Sequence, residues 1–497
     1  MTTPYEPAAV AETHCAVVLF TGDRAYKMKK PVDLGFLDFR TVAARRRACE
    51  REVRLNSRIA PDVYLGVADV TGPDGALCDS LVVMRRMPAR RRLSTLVKSG
   101  VDVRDGLRAL AKQLATFHAG ARHDAQTAAE GSRDAVRERW QDSFEQTRPF
   151  RGGILDEAET AEVERLALRY LAGRERLFFD RAVAGLVRDG HGDLLADDVF
   201  LLPDGPRALD CLEFDDRLRY VDGLDDAAFL AMDLEHLGAP GLGRSFLDWY
   251  LEFSGTPRAP SLEHHYLAYR AFVRAKVACL RAAQGDPAAR LDARAYVGIA
   301  LRHLQAGRVR LVLIGGLPGT GKSTLAGALA DRMGAALFRS DRIRKEFAFL
   351  RPDKPAGAPY RTELYDPEVT EATYRALLDD ARATLERGGS VVLDASWSDA
   401  HQRDLAIELA GAVDADLTQL QCAAPPEVAV QRLEARAGTG DPSDADPGIA
   451  AAMAADFAPW PSATVLDTTA PVDACVTAAV GVLGAGDLRP WSPSAAA

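Results

Sequence analysis

The densest run of chemistry-bearing residues in this chain is GGLPGTGKST, residues 315–324. Gly316 is followed, after four intervening residues, by Gly321, Lys322 and Ser323, the spacing of a loop whose backbone N–H groups close around phosphate oxygens. Glycine is required because a Cβ would stand between backbone and phosphate, and a helix starting directly behind the loop favours negative charge. In such a loop the lysine reaches the β- and γ-phosphates and the Ser323 hydroxyl sits on Mg²⁺. Gly316, Gly319, Thr320, Gly321, Lys322, Ser323 and Thr324 are therefore the candidate ATP-binding residues. The apolar run 309–314 ahead of them and the Leu/Ala-rich segment behind supply the strand and the helix that this chemistry needs.

Three later segments carry complementary groups. ALFRSDRIRKEF, 336–347, reads as a short strand delivering Ser340 and Asp341 to a loop, with Arg344 three residues on. An aspartate there can accept a hydroxyl proton beside a neutralising cation; it could equally cap the helix that follows. SVVLDASW, 390–397, reads as a buried parallel-type strand ending in Asp394, a position suited to orienting Mg²⁺ opposite Ser323. PPEVAVQRLEARAGTGDPSDADPG, 425–448, is a helix running into a polar loop, with Arg432 and Arg436 one turn apart. Arginines before such a loop suit a lid that closes over ATP, although a solvated helix face would look the same.

The first half has a different character. Residues 15–30 read as a hairpin whose second strand holds Lys27, Lys29 and Lys30, three of only nine lysines in the chain. By itself that cluster reads as a solvated edge strand. A helix follows at 41–59 with Glu50 and Glu52 near its middle, then strand-like runs at 63–70 and 80–87, making a small lobe of about residues 1–90. From Leu93 onward the pattern is helical, with Leu107, Leu110, Leu114 and Phe117 on one face and His118 read as a packed structural histidine. One long helical stretch is expected over 155–186, and others over 244–254, 262–283 and 287–305. Adjacent His264 and His265 would point in different directions and so form no joint metal site. Between these helices lies an acidic stretch, 186–234, where Asp193, Asp198, Asp210 and Glu213 crowd the loops. That density is either a solvated loop or a metal and general-base site.

Composition sets bounds. The 497 residues suffice for several domains, and the change of character near Ala306 and Gly307 divides the chain into 1–305, 306–484 and a disordered tail 485–497. The junction is short, so packed halves are expected. A net charge of −9 argues against a nucleic acid partner. Seven cysteines without a CxxC pair suggest reduced thiols and a cytoplasmic setting, and no apolar run is long enough for a membrane.

GLPGTGKS, SDRIRK, VVLDASW and the arginine-bearing segment together resemble the small P-loop kinases with an AAA-type ATP-binding domain, a group that includes polynucleotide kinases, zeta-toxin-like kinases and gluconate kinases. The resemblance covers 309 to about 484 and implies Asp341 as the acceptor-activating aspartate and Arg344 as a substrate-side arginine. HGDL at 191–194 resembles the catalytic loop of the aminoglycoside phosphotransferase family, a branch of the protein-kinase-like fold. It implies Asp193 as base, Asp198 as a metal ligand where the family has asparagine, and Asp210 as the second ligand, with Glu213 a competing alignment. It also implies Lys27 as the phosphate-contacting strand lysine and Glu52 as its helix partner, with Lys29 and Glu50 as alternatives; only TGD stands where related folds carry a glycine-rich loop. The joint order, supported by RAYKMKKPVDLGFLDF and EFDDRLRYVD, resembles bacterial bifunctional phosphotransferase and ATP-binding proteins.

The expected architecture is thus a protein-kinase-like α+β domain followed by an α/β P-loop NTPase domain with a parallel sheet. The expected function is ATP- and Mg²⁺-dependent transfer to a hydroxyl of a small molecule, with Lys322, Arg432 and Arg436 supplying positive charge and the C-terminal site as the catalyst. The alternatives are an ATP-binding regulatory switch with a degenerate N-terminal sensor, and a polynucleotide 5′-hydroxyl kinase, which the acidic balance speaks against.

Overall fold

The computed structural model describes residues 8–12, 15–33, 38–347, 366–436 and 447–484. The first half begins with an antiparallel five-stranded sheet of β1 (Ala9–Glu12), β2 (Ala16–Thr21), β3 (Arg24–Lys29), β4 (Tyr64–Thr71) and β5 (Leu77–Arg85), in the order β1-β2-β3-β5-β4. β3 is therefore central, and its alternation turns Ala25, Lys27 and Lys29 to the buried face. This corrects the reading of the lysines as a solvated edge. The helix Val42–Asn56 packs against β4 and β5, starts at Thr41, whose hydroxyl accepts from the Ala44 N–H at 3.2 Å, and buries Cys49, Glu52 and Leu55.

The helical lobe follows. Leu107, Leu110 and Leu114 are buried on the helix Arg104–Gly120, as their spacing predicts. The stretch expected as one helix over 155–186 is two, Glu157–Ala172 and Glu175–Val183. The break falls at Gly173, where a Cβ would collide with the Val413 carbonyl of the other half. Short strands β6 (Val187–Asp189), β7 (Val199–Leu202), β8 (Gly205–Ala208) and β9 (Tyr220–Asp222) pair as β6-β9 and β7-β8, holding the HGDL loop between them. Behind that loop runs the helix Gly223–His236, buried over its first twelve residues, as an element lying inside a helical lobe must be.

In the second half β10 (Arg310–Gly315), β11 (Ala336–Arg339), β12 (Val391–Asp394), β13 (Asp416–Ala423) and β14 (Thr464–Asp467) form a parallel sheet in the order β11-β12-β10-β13-β14. All six residues of β10 are buried, and the helix Lys322–Met333 leaves the loop that follows it. The chain turns helical at Ser340 immediately after β11, so Asp341 lies in the first turn of Ser340–Phe347 and not on a loop as expected. A carboxylate in a first turn is favoured by the helix dipole.

The helix Pro287–Ala306 ends at Gly307, and β10 starts at Arg310. One apolar cluster runs through both halves, from Cys49 to Trp460. Polar clamps surround it: Arg174 Nη1 donates to the Val413 carbonyl at 2.7 Å, Arg169 pairs with Asp416 at 2.6 Å, and Arg387 with Asp180 at 2.9 Å. Among the described residues no helix is long and apolar enough to cross a membrane.

Candidate functional site

The loop between β10 and the helix Lys322–Met333 has the geometry its glycines demand. Gly316, Gly319 and Gly321 have φ of 128°, 80° and 84°, values that side chains rarely adopt. A Cβ at Gly316 would lie 2.5 Å from the Cys422 carbonyl oxygen, and one at Gly319 2.5 Å from that of Ala429. Thr320 and Thr468 brace the loop: Thr320 Oγ1 donates to the Leu317 carbonyl at 2.7 Å, and Thr468 Oγ1 to the Thr320 carbonyl at 2.5 Å. Lys322 Nζ donates to the Leu317 carbonyl at 3.0 Å, folded over the loop's own mouth. Gly319→Ala is expected to weaken ATP binding at least about tenfold, since relieving the clash must open the loop; calorimetric titration with ATP measures it.

β12 pairs with β10 so that Asp394 stands opposite Ile314, beside the loop. Ser323 hydrogen-bonds the Asp394 carboxylate, and Arg339 Nε lies 3.7 Å from it. Burial pushes this carboxyl up, against the opposing pull of Lys322 and of the Ser323 hydroxyl. Among the described residues no three His, Cys, Asp or Glu side chains are grouped as a metal cage. One carboxylate and one hydroxyl nonetheless fit Mg²⁺, a hard cation that is commonly held by one or two carboxylates together with substrate phosphates.

Loop and strand ends open into a cavity of about 810 Å³ whose lining includes Asp341, Arg344, Tyr374 and Ser396, a volume suited to a small ligand. Asp341 Oδ1 accepts from Arg344 Nη1 at 2.8 Å. Arg432 lines the cavity, donates from Nη2 to the Thr468 carbonyl at 2.8 Å, and keeps a buried Nη1 without a hydrogen-bond partner. The Arg436 side chain and the loop 437–446 expected to form a lid lie outside the described residues. Sequence reasoning missed Arg339, Tyr374, Ser396 and Thr468, although Arg339 and Ser396 lie within the segments 336–347 and 390–397 that it singled out.

The first half holds a second cleft. Lys27 Nζ bridges Glu52 Oε1 at 2.9 Å and Asp210 Oδ1 at 2.6 Å, while Lys29 Nζ bridges Glu52 Oε2 at 2.7 Å and Glu213 Oε1 at 2.5 Å. Both lysines thus share Glu52, whereas Glu50 is exposed and pairs with Arg46. Asp210 has a left-handed backbone, φ 63°, and its N–H donates to Tyr64 Oη at 3.1 Å. Burial would raise its carboxyl, but the Lys27 ammonium outweighs this and holds it below the usual range. The Asp198 carboxyl is pushed well above that range by burial and then by the charges of Asp210 and Asp193. Asp193 is raised by burial despite Arg274. The fold therefore brings Asp193, Asp198 and Asp210 within reach of one another's charge.

The helix Gly223–His236 holds that loop. Asp226 accepts the His191 and Gly192 N–H groups at 2.6 and 2.8 Å and meets His118 Nε2 at 2.9 Å. Arg270 clamps Asp225 at 2.7 and 2.8 Å and donates to the Gly192 carbonyl at 3.1 Å. His118 is the packed residue that was expected, bonded also to Tyr250 Oη at 2.9 Å. His264 turns to His303 and His265 to Trp140, apart as their spacing required. Burial would raise Asp226, but the His118 hydrogen bond and the surrounding charges and N–H groups hold it well below the usual range. A lowered folded-state pKa contributes stability fully above the unfolded value, about 3.9, and loses it as pH falls toward the folded value. The stability gap between wild type and Asp226→Asn in urea unfolding is accordingly expected to be constant near neutrality and to shrink below about pH 4.

Residues 311–460 match the AAA domain family, in keeping with the expected AAA-type P-loop domain. Over 462 residues the chain is 43% identical to uncharacterized protein Rv2004c of Mycobacterium tuberculosis, covering 93% of this chain and 92% of that protein. The chain belongs to this protein's family. Uncharacterized protein Mb2027c of Mycobacterium bovis, another member of the family, matches with the same identity and coverage. Among solved structures, a sugar kinase from Janibacter sp. HTCC2649 covers 38% of the chain and 99% of its own length at 23% identity and a TM-score of 0.29. A choline/ethanolamine kinase family protein from Mesorhizobium loti covers 60% of the chain and 88% of its own length at 13% identity and a TM-score of 0.35.

Proposed function

We propose that this protein is an ATP- and Mg²⁺-dependent phosphotransferase whose C-terminal site moves the γ-phosphate of ATP to a hydroxyl of a small molecule. One observation supports the reading above others: the phosphate loop with Lys322 and the Ser323–Asp394 pair share a single cavity with Asp341. ATP binds through Gly316, Gly319, Thr320, Gly321, Lys322, Ser323 and Thr324. Ser323 and Asp394 hold Mg²⁺, which neutralises phosphate charge when bound. Asp341 accepts the proton of the acceptor hydroxyl, and Arg344, bonded to it at 2.8 Å, fixes its orientation. Lys322, Arg432 and Arg436 offset the charge of the transferring group. The unit carrying this site begins near residue 306, after a kinase-like unit 1–305, and the seven free cysteines suit a cytoplasmic protein.

In the N-terminal cleft Asp193 is the base, Asp198 and Asp210 the metal ligands, and Lys27 with Glu52 the phosphate-side pair. A sensor role for this cleft is the second reading. It is favoured by the tie of Lys27 and Lys29 to the chain's own carboxylates and by aspartate at position 198. The test is transfer of label from γ-labelled ATP into a small-molecule extract by wild type, Asp193→Asn and Asp341→Asn. Loss of product with Asp341→Asn alone is the expected result. Loss divided between the two variants makes both clefts enzymes, and ATP binding without any transfer supports the switch.

A further inference from the structure

One wall of the cavity is built from the turn after β12 and the helix Pro367–Leu385. Tyr374, on that helix and 2% exposed, lies with its Oη 3.1 Å from Ser396 Oγ and accepts the Trp397 N–H at 3.1 Å. Ser396 Oγ is 3.4 Å from Ser398 Oγ, which extends the row of hydroxyls along the cavity. The Ser396 carbonyl accepts the Gly316 N–H at 3.1 Å, so this row is fastened directly to the phosphate loop.

Trp397 makes the arrangement possible. Its φ is 53°, a left-handed backbone that costs a bulky residue of order 1–3 kcal/mol. Its ring is fully buried, edge-on to Tyr374 at 5.1 Å. With Trp397 turned into the core, the serines on both sides of it line the cavity. Strain of this kind is characteristic of ligand clamps.

Among the described residues of the same wall, charged groups are paired within the chain. Arg344 is paired with Asp341 at 2.8 Å, Arg339 faces Asp394 at 3.7 Å, and Glu371 is paired with Arg375 at 2.7 Å. Asp399 has no cationic partner among the described residues; it accepts the His401 N–H at 2.9 Å as the cap of the helix Ala400–Ala412, whose N-terminal dipole offsets its charge in part. An anionic acceptor would meet Asp341 before any uncompensated cation among these groups, and a cationic one would compete with Arg344 and Arg375 for their carboxylates. Hydroxyls remain, and each can both donate and accept.

We infer that the acceptor is an uncharged, polyhydroxylated small molecule whose hydroxyl groups are read by Tyr374, Ser396 and Ser398 while one of them is presented to Asp341. The inference rests on the phosphotransferase reading and specifies its substrate class. A site built around hydroxyl partners rejects analogues lacking them strongly, because its own buried polar groups are then left unpaired.

The test uses the full chain with γ-labelled ATP and Mg²⁺. The acceptors are a panel of free sugars, sugar alcohols and nucleosides, a second of sugar acids and sugar phosphates, a third of amino sugars, and a 5′-hydroxyl oligonucleotide. Label is expected in an uncharged member and is expected to vanish with Lys322→Ala. Ser396→Ala and Ser398→Ala are expected to raise the acceptor KM about tenfold or more, with the ATP KM unchanged. Tyr374→Phe, which also removes the acceptor for the Trp397 N–H, is read beside tryptophan emission; Ser398→Ala, whose hydroxyl holds no backbone, carries the result if Tyr374→Phe misfolds. Transfer only to acids or amines leaves the kinase reading standing and overturns this inference, and transfer only to the oligonucleotide overturns the small-molecule acceptor together with it. An unchanged acceptor KM in both serine variants overturns the assignment of the wall, and absence of transfer to every panel despite ATP binding overturns both readings.

Discussion

Lys322→Ala is expected to lower phosphoryl transfer by the C-terminal site about 10²–10³-fold, the usual effect of removing one preorganised charge from a transition state. Lys322 Nζ rests on the Leu317 carbonyl at 3.0 Å, at the mouth of the loop. The same ammonium is the main charge opposing the upward shift of the Asp394 carboxyl. Lys322→Arg is expected to restore charge but not rate, because a planar guanidinium is a larger group than the compact ammonium that the loop encloses. Labelled product formation gives kcat, and far-UV circular dichroism checks that the fold is intact. Product that survives Lys322→Ala but disappears on adding Asp193→Asn would come from the N-terminal cleft.

Glu52→Ala carries the largest expected loss of stability, about 3–5 kcal/mol, the cost of stripping one partner from a buried ion pair. Glu52 and Lys29 have fully buried side chains, and Lys27 is nearly so. Without Glu52 two ammonium groups face each other on the inner side of β3, with Asp210 and Glu213 as their remaining carboxylate partners among the described residues. The double substitution Lys29→Met, Glu52→Leu should recover much of the loss, since well-packed apolar replacements often match a buried pair. Urea unfolding followed by intrinsic fluorescence measures both, with ATP binding at the C-terminal loop as internal reference. Equal stability of wild type and Glu52→Ala would mean that the lysines are solvated and that the pairing contributes nothing.

The phosphate loop was legible because its requirements are contiguous: strand, glycines, lysine, hydroxyl and helix follow one another in the chain. HGDL was legible for the same reason. The choice between Lys27 and Lys29 could not be made from spacing, because residues two apart on a strand share a face; the fold uses both. Glu50 and Glu52 lie on different sides of one helix, and which side is buried depends on how that helix docks on β4 and β5. Asp341 was found but misplaced, since a strand that passes directly into a helix leaves no turn signal to read. Tyr374, Ser396 and Thr468 were not found: their neighbours in space lie far along the chain, and hydroxyl side chains carry no pattern of their own. The need for glycine at 173, where the helix breaks, was hidden because the Val413 carbonyl that a Cβ would meet belongs to the other half.

The apolar cluster that passes from one half into the other gives the chain a history during its synthesis. Leu304 and Trp460 belong to the same cluster, yet the ribosome makes them on the order of ten seconds apart or longer at about 5–20 residues per second. For that interval Arg174 waits for the Val413 carbonyl that will receive it. A nascent chain halted before β10 would be a client for chaperones, and a gene split at that point would yield two products, each lacking part of its interior.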